Sequence, residues 1–396
     1  MNKIERAKLK RMATVITTFV LATECPGLPP IIKWPGGKER ELPHITANLP
    51  EHYERYFEPF VGGGSVFAAM SAKEYFINDK SEELMSLYEA IKQQDLATFE
   101  TIRGIDDSWA AMRAFVHDNM SELVSIYGRM REDAISRGGV QEELNAFLDM
   151  HFSELLANLK GLPQDLPKYR KELRRNVVQK FLRMKKIEAE RGKMPDSDIG
   201  DNIYTAFLSS LYMYCRNIYN CIPQSGSKSC KTALFVFLRN YAYSGMFRYN
   251  DKGEFNVPYG GIGYNAKSMR KKLEYYKSSE LRERFSKTTL ECADFLDFLR
   301  KYPPTSEDFV FLDPPYDTEF SSYANNSFDR SDQKRLADYL TGECKGKWMM
   351  IIKNTPFIYS LYDGHGLTIK PFGKKYQVSF MNRNDRNVEH LIIRNY

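Results

Sequence analysis

Zinc-ligand and disulfide spacings are missing from this sequence. Its six cysteines (Cys25, Cys215, Cys221, Cys230, Cys292 and Cys344) form no Cys-x-x-Cys pair, and no histidine cluster stands near them. That argues against a structural zinc site and a disulfide framework; reduced thiols of a cytosolic protein are expected, with no metal. Long apolar runs are missing too, and no stretch is long enough to span a membrane. The segment from Met12 to Ala22 follows a basic start and imitates a secretory signal. It is short, however, lacks an Ala-x-Ala site, and carries Glu24 before Cys25, which is wrong for a lipid-attachment box. An amphipathic or partly buried N-terminal helix is expected instead, in an extension over residues 1–28. Nucleotide-binding loops are incomplete. Phe67 stands where the third glycine of a dinucleotide fingerprint belongs. Lys38 has no glycine five places upstream of its Gly-Gly, and Glu39 follows it where Ser or Thr is needed. A strong charge imbalance is also absent: 57 Lys and Arg against 51 Asp and Glu leave +6. The excess is concentrated between Lys160 and Lys193, which hold 12 basic and 4 acidic residues. Such a run reads first as a solvated helix face and second as a phosphate-contacting surface.

What is present is ordinary globular material, 42% hydrophobic over 396 residues, enough for two domains or one with a large insertion. Arg55 to Met70 reads as strand, glycine turn, helix, and Glu74 to Lys92 repeats that order. Phe309 to Leu312 and Trp348 to Asn354 are short apolar runs of the kind buried on both faces of a parallel sheet, with a helix expected from Ser331 to Leu340 between them. The last segment, from Tyr376, reads as two strands around Asn384-Asp385, an antiparallel edge. The middle has helical periodicity instead: Trp109 to Tyr127, Leu144 to Leu159, and Ile203 to Tyr219. Pro223 to Ser229 reads as a loop. The expected fold is therefore α/β, a Rossmann-like, mostly parallel sheet with an antiparallel C-terminal edge strand. Residues 29–100 and 285–396 form it, and 101–284 form a largely helical insertion. Ligands of such sheets bind at the carboxyl ends of the strands, where Gly62–Gly64, Asp79 and Asp313 would meet.

Asp79 ends the second strand, where a carboxylate commonly accepts hydrogen bonds from ribose hydroxyls. The plain alternative for the glycines is a tight turn. Asp313-Pro314-Pro315-Tyr316 ends a buried strand with acceptors and two residues that donate no backbone hydrogen bond. The Asp313 carboxylate and the Pro314 carbonyl suit the two hydrogens of an aromatic amine such as adenine N6, favouring a pyramidal nitrogen with its lone pair free. Tyr316 suits stacking on an unstacked base. The plain alternative is a proline-terminated strand with an incidental aspartate. Arg248 and Tyr249 precede an Asn-Asp-Lys-Gly turn beginning at Asn250, a β-hairpin near 243–260 bearing an arginine of the kind that contacts guanine in the major groove.

In order along the chain stand "KWPGGK" (Lys33 to Lys38), "FEPFVGGGSVF", "INDKSEELMSLY", "FRYNDKGEFNVPYG" (Phe247 to Gly260), "CADF" (Cys292 to Phe295), "DPPY" and "NVEHLIIRN". Together they resemble the Dam-type, alpha-class DNA adenine-N6 methyltransferases over residues 30–95 and 235–396. The resemblance implies S-adenosylmethionine as cofactor, with Trp34, Lys38, Asp79, Asp294, Phe295 and Asp313 lining its pocket beside Gly62 and Gly64. Without it, Trp34 would read as a core aromatic, Lys38 as a surface lysine and Asp294 as a helix N-cap. It also implies Asp313, Pro314, Pro315 and Tyr316 as the catalytic loop, and double-stranded DNA as substrate, bound by Arg248, Tyr249 and Asn250, the first contacting a base and the other two positioning the backbone. A restriction–modification, phage or orphan setting follows, the first with a cognate restriction endonuclease. GATC is the family's default site. Where the family segment before the arginine reads Phe-Asn-Gly, this chain has Tyr243-Ser244-Gly245. Competing readings are a DNA-binding regulator or defence protein without catalysis, and an N6 or amide methyltransferase acting on RNA or protein.

Overall fold

In a computed structural model the described residues are 27–223, 226–316, 328–375 and 387–396, with backbone alone at 374–375 and 387–388. The expected N-terminal helix and the Asn384-Asp385 turn lie outside them, as do Gln224 and Ser225 of the expected loop.

Among the described residues seven strands form one sheet: β1 (Arg55–Glu58), β2 (Glu74–Asn78), β3 (Thr288–Glu291), β4 (Phe309–Leu312), β5 (Lys347–Lys353), β6 (Thr368–Lys375) and β7 (Asn387–Arg394), in the order β3-β2-β1-β4-β5-β7-β6. The first five run parallel, while β7 is antiparallel to both β5 and β6. The apolar runs behave as expected: all four residues of β4 and the five central ones of β5 are buried. The antiparallel edge is a pair, and its outer strand starts earlier than the sequence suggested. β6 contains Pro371 and Gly373, which an edge strand tolerates because one side of it has no ladder to donate to.

The chain leaves the sheet after β2 and returns at β3, its immediate neighbour. Helices fill the excursion: α1 (Glu82–Gln93), α2 (Leu96–Asp118), α3 (Met120–Arg131), α4 (Arg137–Met150), α5 (Leu166–Arg191), α6 (Asp196–Cys221) and α7 (Lys228–Tyr241). Two expected helices are each broken. The Trp109–Tyr127 stripe divides at Asn119, whose amide N–H and side-chain amide both donate to the Phe115 carbonyl, at φ −102° and ψ 10°. Likewise His151 separates α4 from a short helix at Phe152–Ala157. Apolar spacing carries across such bends because the same side of the bundle stays buried. Ser227 caps α7, so the end of the expected loop is a helix start.

One hydrophobic cluster runs from one sheet face (Phe67, Ile77) through α1 (Tyr88) into the insertion (Trp109, Phe237); a second covers the other face. Trp109 meets Tyr241 at a ring-centroid distance of 4.5 Å and Phe237 at 5.6 Å, so α2 and α7 share this core. A polar clamp holds the far end. Glu188 of α5 accepts from the Arg131 guanidinium, the Met194 N–H at 2.7 Å and the Tyr127 hydroxyl at 2.8 Å. The Arg131 contact above all lowers the Glu188 pKa from 4.5 to about 2. A carboxylate depressed on folding stabilises above its unfolded pKa and loses that contribution as pH falls through its folded one. Glu188→Gln is therefore expected to cost about 2 kcal/mol in chemical denaturation at pH 7. The gap to the parent protein should close between about pH 4.5 and pH 2.

Candidate active site

Strand order reverses between β1 and β4, both of which neighbour in the sheet's centre, and the loops leaving β1, β2, β3 and β4 emerge at one edge. After β1, Gly62 and Gly64 take positive φ values of 49° and 72°, which only glycine adopts without strain. Gly63 makes a close approach: its carbonyl accepts from the N–H groups of Ile31 (3.0 Å) and Ile32 (3.3 Å). A Cβ there would lie 2.3 Å from the Ile32 oxygen and 2.8 Å from the Trp34 Cβ. The Lys33–Lys38 segment is thus laid directly on the glycine turn.

Asp79, just beyond β2, accepts from the Gly62 N–H at 3.0 Å and the Ser81 N–H at 2.9 Å. Burial raises its pKa, and those N–H groups oppose the rise. Four lone-pair directions on a carboxylate leave acceptor capacity beyond these two bonds. The neighbouring Asn78 staples three strand ends. Its side chain donates to the carbonyls of Pro59 (3.0 Å) and Ala293 (3.1 Å), and accepts from the Ala293 N–H at 2.9 Å. That brings Asp294 to the same edge. Asp294 caps the helix Phe295–Lys301 through the Leu296 N–H at 3.0 Å and pairs with Arg335 at 2.8 Å. Phe295 is buried against Phe60, centroids 5.4 Å apart.

Beyond β4, Asp313 forms an ion pair with Lys38, whose side chain is 2% exposed against 21% for the aspartate. The Lys38 ammonium also donates to the Gly36 carbonyl at 3.0 Å and the Tyr316 hydroxyl at 3.2 Å. The Gln333 amide holds the Pro315 carbonyl at 2.8 Å, and Tyr316 meets His390 edge-on at 5.3 Å. Pro314 is buried and Pro315 exposed. Trp34, Lys38, the glycine turn, Asp79 and Asp313–Tyr316 therefore come together, with Asp294 and Phe295 beside them.

Three participants were not read from the sequence. Glu58, the last residue of β1, is 2% exposed and accepts from the Tyr56 hydroxyl at 2.8 Å. Burial pushes its carboxyl well above the usual range, and the Asp313 charge adds to the rise. A carboxylate ending a buried strand, as Asp79 and Asp313 nearly do, is the signal that could have found it. Asn78 is the second. The third is Arg239 of α7, 1% exposed, lying over the adjoining rings of Trp34 (4.8 Å) and Phe247 (4.9 Å) and donating to the Lys33 carbonyl. Burial lowers its pKa to about 10, so it is charged at neutral pH.

Arg248 stands apart from this edge, exposed, on a turn closed by the Asn250 N–H to the Glu254 carbonyl at 2.9 Å. The hairpin is minimal: Tyr249 and Phe255 form an isolated bridge, with no ladder. The Asn250 side chain accepts from the Lys252 and Glu254 N–H groups, fixing the turn. Tyr249 points inward, its hydroxyl 3.0 Å from Glu83 on α1 and 2.9 Å from the Tyr219 hydroxyl. Ser244 sits at φ 52°, a conformation asparagine enters more readily than serine. The family's asparagine at this place thus matches a backbone requirement of the turn.

The model of the D12 class N6 adenine-specific DNA methyltransferases matches residues 34–136 and 144–378. Type II methyltransferase M.CviBI of Paramecium bursaria Chlorella virus NC1A is 36% identical over 166 residues, 41% of this chain and 60% of that protein. Type II methyltransferase M.MjaIII of Methanocaldococcus jannaschii is 25% identical over 93% of this chain and 99% of its own length. The DNA adenine methylase of Vibrio cholerae is 22% identical over 85% and 86%. Among the described residues no helix is long and apolar enough to cross a membrane. With the family pattern covering most of the chain, this protein belongs to the D12 class N6 adenine-specific DNA methyltransferases.

Proposed function

We propose that this chain methylates adenine N6 in duplex DNA with S-adenosylmethionine as donor, using the edge formed by β1, β2 and β4. The observation that carries the reading is the convergence of Asp79, Lys38, the glycine turn and the Asp313–Tyr316 loop on one strand-end edge. The donor set fits that cofactor. Asp79 retains acceptor capacity for ribose hydroxyls, while Trp34, Lys38, Asp294 and Phe295 supply aromatic and charged walls. When bound, the cofactor supplies an electrophilic methyl group. Asp313 and the Pro314 carbonyl accept the two hydrogens of the target amine, which leaves its lone pair unconjugated and directed. Pro315 keeps the loop stiff, and Tyr316 stacks on the base. The base is flipped out, because N6 cannot be reached inside the stack. Positioning therefore supplies much of the rate.

Residues 29–100 and 285–396 act as the catalytic unit and 101–284 as the target-recognition unit, with Arg248 reading a base edge. Tyr249 and Asn250 hold that arginine's turn in place. Inward anchoring of Tyr249 on Glu83, four residues beyond Asp79, ties base reading to the cofactor edge. A cognate restriction endonuclease would accompany the chain in a restriction–modification setting.

The test is transfer of a labelled methyl group from S-adenosylmethionine to duplex DNA, RNA and protein offered separately. Label is expected in duplex DNA alone and lost in Asp79→Ala through a raised KM for the cofactor. Label in none of the three overturns the reading.

A further inference from the structure

The basic run left unassigned by the sequence falls mostly on α5, whose first three turns connect to the Arg248 turn through α6. Pro167, Arg170, Lys171, Arg174 and Arg175 follow helical spacing along one side and line a groove of 430 Å³. Opposite them, Tyr169, Leu173 and Val177 are buried in the bundle. The link to the hairpin is continuous. Arg175 donates to Glu172 at 2.8 Å, and Glu172 accepts from Asn217 of α6 at 2.9 Å. One turn further along α6, Asn220 donates to the Phe255 carbonyl at 3.0 Å and accepts the Phe255 N–H at 2.9 Å. Next to Asn217, the Arg216 guanidinium reaches the Val257 carbonyl at 3.4 Å, and its Nε is buried with no partner among the described residues. Arg175 and Glu254 both act on it electrostatically.

The charges of the groove are only partly neutralised. Arg174 is held by Asp149 at 2.6 Å, and Arg170 lies 3.7 Å from the same carboxylate while covering the Phe152 ring at 4.1 Å. Glu172 is buried and shared among Arg175, Asn176 and Asn217, which leaves the exposed Arg175 free to turn its other donors outward. Lys171 is exposed and has no carboxylate within ion-pair distance among the described residues. From Pro167 to Arg175 the helix rises roughly 12 Å, about three phosphate intervals along one DNA strand.

We propose that this face of α5 is a second DNA surface, which grips the phosphate backbone flanking the recognition site and reads no bases. The inference rests on the duplex-DNA reading above. Such a surface adds affinity and salt dependence without sequence preference, since phosphate contacts position and base contacts specify. It would lengthen the footprint beyond the base pairs that the Arg248 turn can reach.

The triple variant Arg170→Gln, Lys171→Gln, Arg175→Gln tests this on the full chain, with Lys73→Gln as control at the opposite, amino-terminal end of β2. Binding is measured on duplexes of about 12 and about 30 base pairs over a salt series. The triple variant is expected to lower the slope of log K against log salt by about two on the longer duplex. At about 0.1 M salt that weakens binding roughly ten- to sixtyfold. Base preference and kcat at saturating DNA should stay as in the parent chain, and the control should change none of these. An unchanged slope in a variant that melts at the parent temperature overturns the inference, as does a slope lost equally on both duplexes. Failure of the parent chain to methylate duplex DNA would instead defeat the reading beneath it.

Discussion

Asp313→Ala is expected to lower kcat for methyl transfer roughly 10²–10³-fold or more, about 2.7–4 kcal/mol of barrier. The carboxylate accepts a hydrogen of the target amine in the proposed geometry, and nothing else on the loop replaces it. Its removal has a second consequence. Among the described residues the Lys38 ammonium, nearly fully buried, then keeps the Gly36 carbonyl and the Tyr316 hydroxyl as hydrogen-bond acceptors. An ammonium stripped of its counter-charge destabilises the loop, so the single variant alone would mix a catalytic with a structural loss. Two further variants separate them. Asp313→Asn keeps the shape and should still lose about 10²-fold, because an amide offers one acceptor oxygen where the carboxylate offers two. Lys38→Met combined with Asp313→Ala removes both charges and should recover thermal stability while recovering no activity. DNA affinity should move by less than about threefold in Asp313→Asn, since the Arg248 turn and the α5 face are untouched.

Gly63→Ala is expected to cost about 3 kcal/mol or more of stability and to abolish cofactor binding. The atoms its Cβ would strike are the Ile32 oxygen at 2.3 Å and the Trp34 Cβ at 2.8 Å, in the chain that leads into Trp34 and Lys38. One is a backbone oxygen and the other the first atom of the Trp34 side chain, so neither can swing aside. Separating the segment from the glycine turn would break the hydrogen bonds of the Gly63 carbonyl to Ile31 and Ile32. It would also withdraw Trp34 and Lys38 from the proposed pocket. Gly263→Ala is the matched control. A Cβ there meets nothing within 4 Å, and the residue is not at positive φ. Differential scanning calorimetry and cofactor titration of the two variants check this contrast.

Much of this architecture was legible because the chain spells it in local terms. β1, β2, β4 and β5 are short apolar runs followed by turns, and buried parallel strands carry little else. Asp79 and Asp313 were legible as carboxylates placed where such strands end. β3 was harder, since Thr288–Glu291 is half exposed and no longer than a turn; only its place beside β2 makes it a strand. β6 was obscured by Pro371, Gly373 and three lysines, residues an edge strand accepts and a central one does not. The breaks at Asn119 and His151 were hidden because hydrophobic periodicity reports burial and is silent on bends. Arg239 was hidden for the opposite reason. In an apolar helix one arginine looks like a surface residue, and its place over Trp34 and Phe247 depends on segments 206 residues apart coming together. Asn78 has the same origin, its partner Ala293 being distant in sequence and near in space, and so has the influence of Asp313 on Glu58.

The central claim concerns one nitrogen atom, and analysis of the nucleosides tests it most directly. Duplex DNA would be incubated with the full chain and S-adenosylmethionine, digested to nucleosides and resolved by mass spectrometry. The proposed geometry predicts N6-methyldeoxyadenosine as the only new nucleoside, at a fixed sequence context and absent with Asp313→Ala. A methyl group found on cytosine N4, or DNA left unmodified under conditions where the protein is folded and binds both ligands, would contradict it.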